Sequence, residues 1–164
     1  MQKECNNHHN LTFGDANKFF MAVYGASEDK TIADGLVSIF PYQTQTSKNT
    51  EEVTEHTEEQ KQTEQRLAFI IERIYGERTP DVLLSIIQTI RKKQEETGVS
   101  DIDIFVSNDA LTSCYTNLHH VQEEFKDETL IIENASLNIE KTQSPSGYGY
   151  YEFGDDGILI KRNT

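Results

Sequence analysis

Aliphatic residues are concentrated between positions 64 and 107, and their spacing predicts most of the hydrophobic core. In the first part of this stretch they recur at i, i+3, i+4 and i+7, the repeat of one face of an α-helix. These residues are Leu67, Ile70, Ile71 and Ile74. Gly76 follows them and can end a helix in the left-handed conformation, which a Cβ would disfavour. We therefore predict an amphipathic helix over residues 64–76.

The next segment carries the signals of a second helix. Thr79 can accept a hydrogen bond from the free N–H groups at a helix start, and Pro80 suits the first helical position, where a missing donor costs nothing. Apolar residues cover more than half of the circumference of its first half, which must therefore be buried on more than one side. They are Val82, Leu83, Leu84, Ile86, Ile87 and Ile90. The polar second half ends at Gly98.

Residues 101–107 alternate between two faces, which predicts a β-strand. One face carries the aliphatic residues Ile102, Ile104 and Val106. The other face carries Asp101, Asp103 and Phe105, and an aromatic residue beside two acids indicates that this face is covered at least in part. The strand therefore has one face committed to the core.

Weaker apolar patterns predict the remaining elements. They are helices over 15–24 and 108–125, strands over 35–41 and 129–140, and a C-terminal β-hairpin whose strands, 150–153 and 158–161, flank the loop Gly154-Asp155-Asp156-Gly157. This order predicts an α+β fold with a mostly antiparallel sheet and helices packed on one side. We expect a flexible tail over 1–12 and a single domain over 13–164, with a polar low-complexity linker or helix extension at 43–63.

Composition places the chain among soluble proteins of one domain. It has 164 residues, and no run approaches the roughly 20 apolar residues that a membrane helix needs. The N-terminus lacks a basic region followed by an apolar one, so we expect no signal peptide and a cytoplasmic location. We expect Cys5 and Cys114 to be free thiols, Cys114 as a packing residue on a helix.

Negative charge is unevenly distributed along the chain. The formal net charge is -13. Residues 64–98 carry equal numbers of acids and bases, whereas residues 99–128 hold seven acids against Lys126 alone. The seven are Asp101, Asp103, Asp109, Glu123, Glu124, Asp127 and Glu128, and we predict that they bind a partner. A field of this sign repels nucleic acid and attracts basic surfaces.

These observations favour a non-enzymatic acidic interaction protein that binds a basic partner surface. Inhibitors and immunity-type proteins that act as nucleic-acid mimics on a nuclease or another nucleic-acid-binding protein have this size and charge. We expect neither direct nucleic-acid binding nor a membrane partner. The pattern identifies no catalytic residue, no metal ligand set and no cofactor site: Asp101 and Asp103 lack a third ligand, and Cys5, His8 and His9 form only half of a zinc site.

Two alternatives remain open at this stage. The first is a small metal- or phosphate-dependent enzyme whose acids lie at the end of strand 101–107, where Ser107, Asn108 and Asp109 join a strand to a helix. The second is a self-associating structural component of a larger assembly, a homo-oligomer that uses Phe69 and the Leu84 face. A pocket at the strand end would favour the first alternative.

Overall fold

The structure, a computed structural model, describes residues 18–25, 30–45, 63–98, 102–143 and 150–163. These residues form six strands and three helices: β1 (Lys18–Tyr24), β2 (Thr31–Gln45), β3 (Thr63–Gly76), α1 (Pro80–Thr97), β4 (Asp103–Ser107), α2 (Asn108–Ser113), α3 (Leu118–Glu124), β5 (Leu130–Gln143) and β6 (Tyr150–Arg162). The strands join in the order β1-β2-β3-β4-β6-β5. The β3–β4 pair is parallel and the other pairs are antiparallel. The predicted α+β class with a mostly antiparallel sheet is confirmed.

Helix α1 matches its prediction closely because its signals are local. Thr79 Oγ1 accepts a hydrogen bond from the backbone N–H of Val82 at 3.2 Å, and Pro80 is the first helical residue. Gly98 follows the helix with a φ of 76°, in the left-handed region. The six apolar residues of its first half are all buried. The helix forms the crossover between the parallel strands β3 and β4.

The predicted helix over 64–76 is wrong, since these residues form β3. The reason is a β-bulge: Leu36 of β2 pairs with Arg73, but Val37 pairs with Ile71, which leaves Glu72 as an extra residue. Phe69 and Ile71 pack towards the helices, and after the bulge Ile74 returns to the same face. Ala68 and Ile70 face the other side. A strand with two buried faces and one bulge therefore imitates a helical spacing.

The structure corrects two other predictions near the N-terminus. The helix expected over 15–24 is wrong where the structure describes it, because Lys18–Tyr24 form the strand β1, antiparallel to β2. The strand expected over 35–41 exists but is part of the longer β2, which continues through Pro41. Of the polar segment 43–63, residues 43–45 and Thr63 belong to β2 and β3, and the rest lies outside the described residues, as does the tail 1–12.

The helix predicted over 108–125 is interrupted between α2 and α3. The N–H of Thr116 bonds to the carbonyl oxygen of Leu111 at 3.0 Å, and that of Tyr115 bonds to Thr112 at 3.1 Å. This pair of bonds is the Schellman ending of a helix, which requires a left-handed residue at the second donor. Tyr115 takes that position with a φ of 56°. The chain therefore turns at residues 114–117 and starts a new helix.

The C-terminal hairpin is present, but its turn lies elsewhere than predicted. Strands β5 and β6 pair antiparallel from Leu130–Arg162 to Gln143–Tyr150, and Gly154-Asp155-Asp156-Gly157 lies inside β6. A Cβ on Gly157 would overlap the carbonyl oxygen of Val106 and lie 2.9 Å from Cζ of Phe105. This glycine therefore permits a close approach of two strands instead of forming a turn.

The sheet is buried on both faces. The first face packs against all three helices, through aliphatic residues that include Ile104 and Val106 of β4. The second face forms a separate core from strand residues alone, among those described: Phe40, Tyr42, Ala68, Ile70, Phe105, Leu137, Ile139 and Leu159. Helices thus occupy one side of the sheet, as predicted. None of the described helices combines the length and apolarity that a bilayer crossing requires.

Strand β6 curls to cover this second face. Leu159 is the cross-strand neighbour of Phe105. Phe153 lies six residues earlier, about 20 Å along an extended strand, yet its ring centroid is 6.0 Å from that of Phe105 in an edge-to-face contact. The strand must therefore bend between the two residues. Phe105 is fully buried as a result, which confirms that the acidic face of the predicted strand is covered.

Replacing Gly157 with Ala is expected to lower the free energy of unfolding by at least about 2 kcal/mol, because the added methyl group overlaps backbone in a packed interior. Gly154→Ala in the same strand is the matched control, since its Cβ would lie 3.4 Å from the side-chain oxygen of Asn138, an ordinary contact. Urea unfolding of both variants measures the difference. Equal midpoints would contradict the close approach of β4 and β6.

Candidate functional site

The structure separates the seven predicted partner-binding acids into three groups. Asp109, Glu123, Glu124, Asp127 and Glu128 are exposed. Asp103 is 1% exposed and lies in the interior. Asp101 lies outside the described residues. That any of these acids binds a partner stays a prediction, but only the exposed group can contact one directly.

Four exposed acids lie together in residues 123–128, the end of α3 and the turn after it, which we call the acidic segment. The segment is fixed to the fold by residues just before it and at its centre. Val121 and Phe125 are buried in the first core. The side-chain amide of Gln122 donates to the carbonyl oxygen of Ile132 in β5 at 2.8 Å. The acids are therefore presented on a held backbone.

Cations offset the acidic segment only in part. Lys126 Nζ lies 2.9 Å from Glu123 Oε2, and Arg91 Nη2 lies 3.0 Å from Glu128 Oε1. Glu124 and Asp127 form no ion pair with any residue that the structure describes. The Lys126 pair is exposed and contributes about 0–1 kcal/mol, so a partner's cation can replace it at little cost. The side chain of Arg91 is only 13% exposed, so its pair with Glu128 is partly buried.

Asp109 is placed apart from this segment, at the start of α2. Its Oδ2 lies 3.5 Å from Arg73 Nε, and both side chains are more than half exposed. The bonds to Asp109 and to the Tyr75 side chain raise the pKa of Arg73, Tyr75 being the larger contributor. A guanidinium is charged at neutral pH in any case. Asp109 therefore has a nearby counter-charge on the sheet.

Asp103 is the centre of a buried polar trio at the first residue of β4. Arg66 of β3 donates from Nε to Oδ2 at 2.7 Å and from Nη2 to Oδ1 at 2.8 Å, a bidentate geometry. The hydroxyl of Tyr42 in β2 also donates to Oδ2. The Arg66 side chain is 22% exposed. The carboxylate is thus satisfied by the protein's own donors and holds three strands together.

Burial and the hydrogen bond to Asp103 raise the pKa of Tyr42 well above its ordinary value. The phenol therefore stays neutral and serves as a donor. The carboxylate of Asp103 accepts three hydrogen bonds, so little of its accepting capacity is left for a metal ion or a substrate. The chemistry of the trio is structural: it allows an acid to sit in the second core. Arg66 and Tyr42 could not be assigned to Asp103 from the sequence, because each is far from it along the chain.

Ser107 joins the sheet to α2 through a single hydroxyl. Its Oγ donates to the carbonyl oxygen of Glu72 at 2.8 Å and accepts from the N–H of Ala110 at 3.0 Å. The bond from Ala110 makes Ser107 the N-cap of α2. The strand end is therefore a completed junction.

An open cavity of about 720 Å³ lies beside this junction, between the α2–α3 corner and the β5–β6 pair. Asn108, the first residue of α2, lines it, whereas Ser107 and Asp109 do not appear among its described lining residues. Its walls come from four elements that are distant in sequence. No local sequence pattern predicts such a site.

A second, apolar groove of about 330 Å³ lies between β1, β3 and the end of α1. Phe19 and Phe69 line it, and their rings meet edge to face at 6.5 Å. Phe69 is therefore partly covered. Leu84, which we paired with Phe69 in the self-association hypothesis, is 5% exposed and belongs to the first core.

The described residues contain no side-chain arrangement suited to metal binding or to thiol chemistry. No three His, Cys, Asp or Glu side chains of this part of the chain are grouped to hold a metal ion. Cys114 is a free, fully buried thiol, and burial raises its pKa. This confirms the prediction that it is a packing residue. Cys5, His8 and His9 lie outside the described residues.

Comparison of the chain with protein-family models, with curated proteins and with solved structures finds no match. Function must therefore be argued from the residues themselves. Three features of the described residues bear on function: the acidic segment, the buried trio around Asp103 and the polar cavity.

Replacing Asp103 with Asn is expected to destabilise the fold by about 2–4 kcal/mol, because Arg66 then lacks a counter-charge in a partly buried site. Glu123→Gln is the matched control: its pair with Lys126 is exposed, and we expect a change within about 1 kcal/mol. Chemical unfolding measures both. A loss as small in Asp103→Asn as in the control would mean that the trio does not hold the strands.

The raised pKa of Tyr42 predicts a specific loss of stability in alkali. Above pH 10 an unfolded tyrosine loses its proton while the folded Tyr42 keeps it, so rising pH favours the unfolded state by up to about 1.4 kcal/mol per pH unit. In Tyr42→Phe this contribution is absent. The stability difference between wild type and variant should be constant below pH 9 and shrink above pH 10 in unfolding measurements. Parallel curves over the whole range would contradict the assignment.

Proposed function

We propose that the protein is a non-enzymatic interaction protein whose acidic segment binds a basic surface on another protein. The observation that carries this proposal is that Glu124, at the end of α3, and Asp127, in the turn after it, are exposed and without an ion pair in the described part of the chain. Binding of a cationic partner lowers the electrostatic free energy of such unpaired carboxylates.

The proposal rests on four of the seven acids that the sequence singled out. Asp103 is buried in its trio and takes no direct part, and Asp109 is beside Arg73. The rest of the molecule supports the same direction of field, since the formal net charge is -13. Such a field attracts a cationic surface from a distance and raises the rate of encounter.

The kind of partner follows from the chemistry of cations on protein surfaces. Proteins that bind nucleic acids carry clusters of Lys and Arg that neutralise phosphates. Carboxylates held on a rigid segment can occupy the same cations. We therefore propose a nuclease or another nucleic-acid-binding protein as the partner, and inhibition by occupation of its basic surface as the effect.

A charge-neutral variant tests this proposal. The substitutions Glu123→Gln, Glu124→Gln, Asp127→Asn and Glu128→Gln remove the acidic segment at little cost in volume. Capture from a lysate of the source organism, followed by binding kinetics with the purified captured protein, should show at least about tenfold weaker binding, mainly through slower association. Binding of the wild type should weaken as salt rises.

The matched control changes net charge by the same amount elsewhere, at four exposed acids. They are Glu77, Glu95, Glu96 and Glu152, each replaced with Gln. The control should capture the same basic protein as the wild type. If the wild type and both variants capture the same proteins with equal affinity, the acidic segment has no binding role and the proposal fails.

A further inference from the structure

The polar cavity beside α2 has the size of a ligand site. Its volume of about 720 Å³ falls within the range of about 300–1,000 Å³ that small-molecule pockets occupy. The walls are the corner between α2 and α3 on one side and the β5–β6 pair on the other. The acidic segment does not contribute a described lining residue. The cavity is therefore separate from the acidic segment.

The cavity is rich in side-chain amides. Asn108, Asn117 and Asn134 line it from three different elements or their ends. Asn117 uses its oxygen to cap α3, accepting from the N–H of His120 at 2.9 Å, and keeps its NH₂ group for another partner. The side chains of Asn108 and Asn134 are exposed. An amide offers both a donor and an acceptor, which matches neighbouring hydroxyl groups of a ligand.

Hydroxyl groups complete the polar wall. Thr112, Thr116 and Ser136 line the cavity together with the amides. Thr116 is 7% exposed, and its Oγ1 is buried without a hydrogen-bond partner among the described residues. Native proteins rarely leave such an atom unsatisfied, and an exception points to water or a ligand.

Charge in the cavity disfavours an anionic ligand. Asp156 is the one charged residue among the described lining residues, and its Oδ1 accepts from the Ser136 hydroxyl at 2.6 Å. No Lys or Arg of the described chain lines the cavity. A phosphate or carboxylate ligand would meet a like charge there and no cation. Aliphatic surface from Leu111, Leu118 and Ile158 gives the cavity an apolar floor.

Tyr115 lies between Thr112 and Thr116 of the cavity wall in sequence, but it is not itself one of the described lining residues. It directly precedes Thr116 and is 80% exposed, and it holds the left-handed φ of 56° that a Schellman ending normally gives to glycine. The backbone conformation costs free energy that burial of the ring does not offset. A strained and exposed aromatic residue beside a polar cavity is a feature of binding sites.

We propose that this cavity binds a neutral saccharide. Amides, hydroxyls and one carboxylate can bond to the hydroxyl groups of a sugar, and the aliphatic floor can pack against its C–H faces. In this proposal the exposed ring of Tyr115, next to Thr116, also packs against the sugar. The proposal is independent of the proposed function, because it uses none of the acidic segment.

Backbone-amide NMR of the full chain tests the proposal with defined probes. A panel of neutral saccharides (methyl glucoside, methyl mannoside, methyl galactoside, maltose and cellobiose) is titrated to about 10 mM, a concentration that detects millimolar Kd values. At least one should shift the amide resonances of Asn108, Thr116 and Asn134. Glucose 6-phosphate and glucuronate should bind more weakly than that neutral sugar.

Three variants separate a ligand contact from a structural role. Tyr115→Gly relieves the strain, so the fold should stay intact, while binding of the neutral sugar should weaken about fivefold, the factor typical of an aromatic contact. Tyr115→Phe keeps the ring and should bind as the wild type does. Tyr24→Ser removes an exposed tyrosine from β1, at the opposite end of the sheet order, and should leave binding unchanged.

Several results would overturn the proposal. It fails if no member of the neutral panel shifts the cavity resonances, or if Tyr115→Gly binds as tightly as the wild type. It also fails if adenosine, uridine or an anionic sugar binds this cavity more tightly than every neutral saccharide. A loss of basic-protein capture in the charge-neutral variant would not bear on any of these outcomes.

Discussion

The fold depends on the double burial of β4. All five residues of this strand are buried, and it pairs with β3 on one side and β6 on the other. Ile104 and Val106 enter the first core, while Asp103, Phe105 and Ser107 alternate with them. Two of those three are polar, and each must find a partner in the interior. Arg66 and Tyr42 bind Asp103, and the Glu72 carbonyl accepts from Ser107. The positions of β2 and β3 follow from these requirements.

The sequence predicted those elements whose signals lie in residues adjacent to them in the chain. Thr79, Pro80 and Gly98 bound α1 correctly because each acts on neighbouring backbone groups. The strand at 103–107 was found because its alternation is regular. Strand β3 was not, since a single bulge at Glu72 changed a two-residue period into a helical spacing, and only the partner strand β2 decides between them. Gly154 and Gly157 were assigned to a turn for a similar reason: their role depends on β4, which lies far away in the chain.

The candidate sites also differ in how far the sequence predicts them. The acidic segment could be predicted, because an exposed run of acids needs no tertiary partner to be seen. The sequence alone could not show that Asp103 is buried while the acids of the acidic segment are exposed. The one local indication was Phe105, which shares a strand face with Asp103. The polar cavity was beyond sequence reasoning. Asn108, Asn117 and Asn134 meet only because the α2–α3 corner folds onto the C-terminal hairpin. The left-handed Tyr115 that forms this corner is also invisible in a pattern of apolar positions.

The strand order also has a consequence for the timing of synthesis on the ribosome. The later strand β6 lies inside the sheet and the earlier β5 lies outside it, so β5 cannot join β4 directly when it emerges. Until residues 150–162 have been made, one edge of β4 stays unpaired and the ring of Phe105 lacks its cover from Phe153. An unpaired strand edge beside exposed apolar surface is prone to association with other chains. The nascent chain therefore exposes this edge, with its apolar surface, until β6 has emerged and paired with β4.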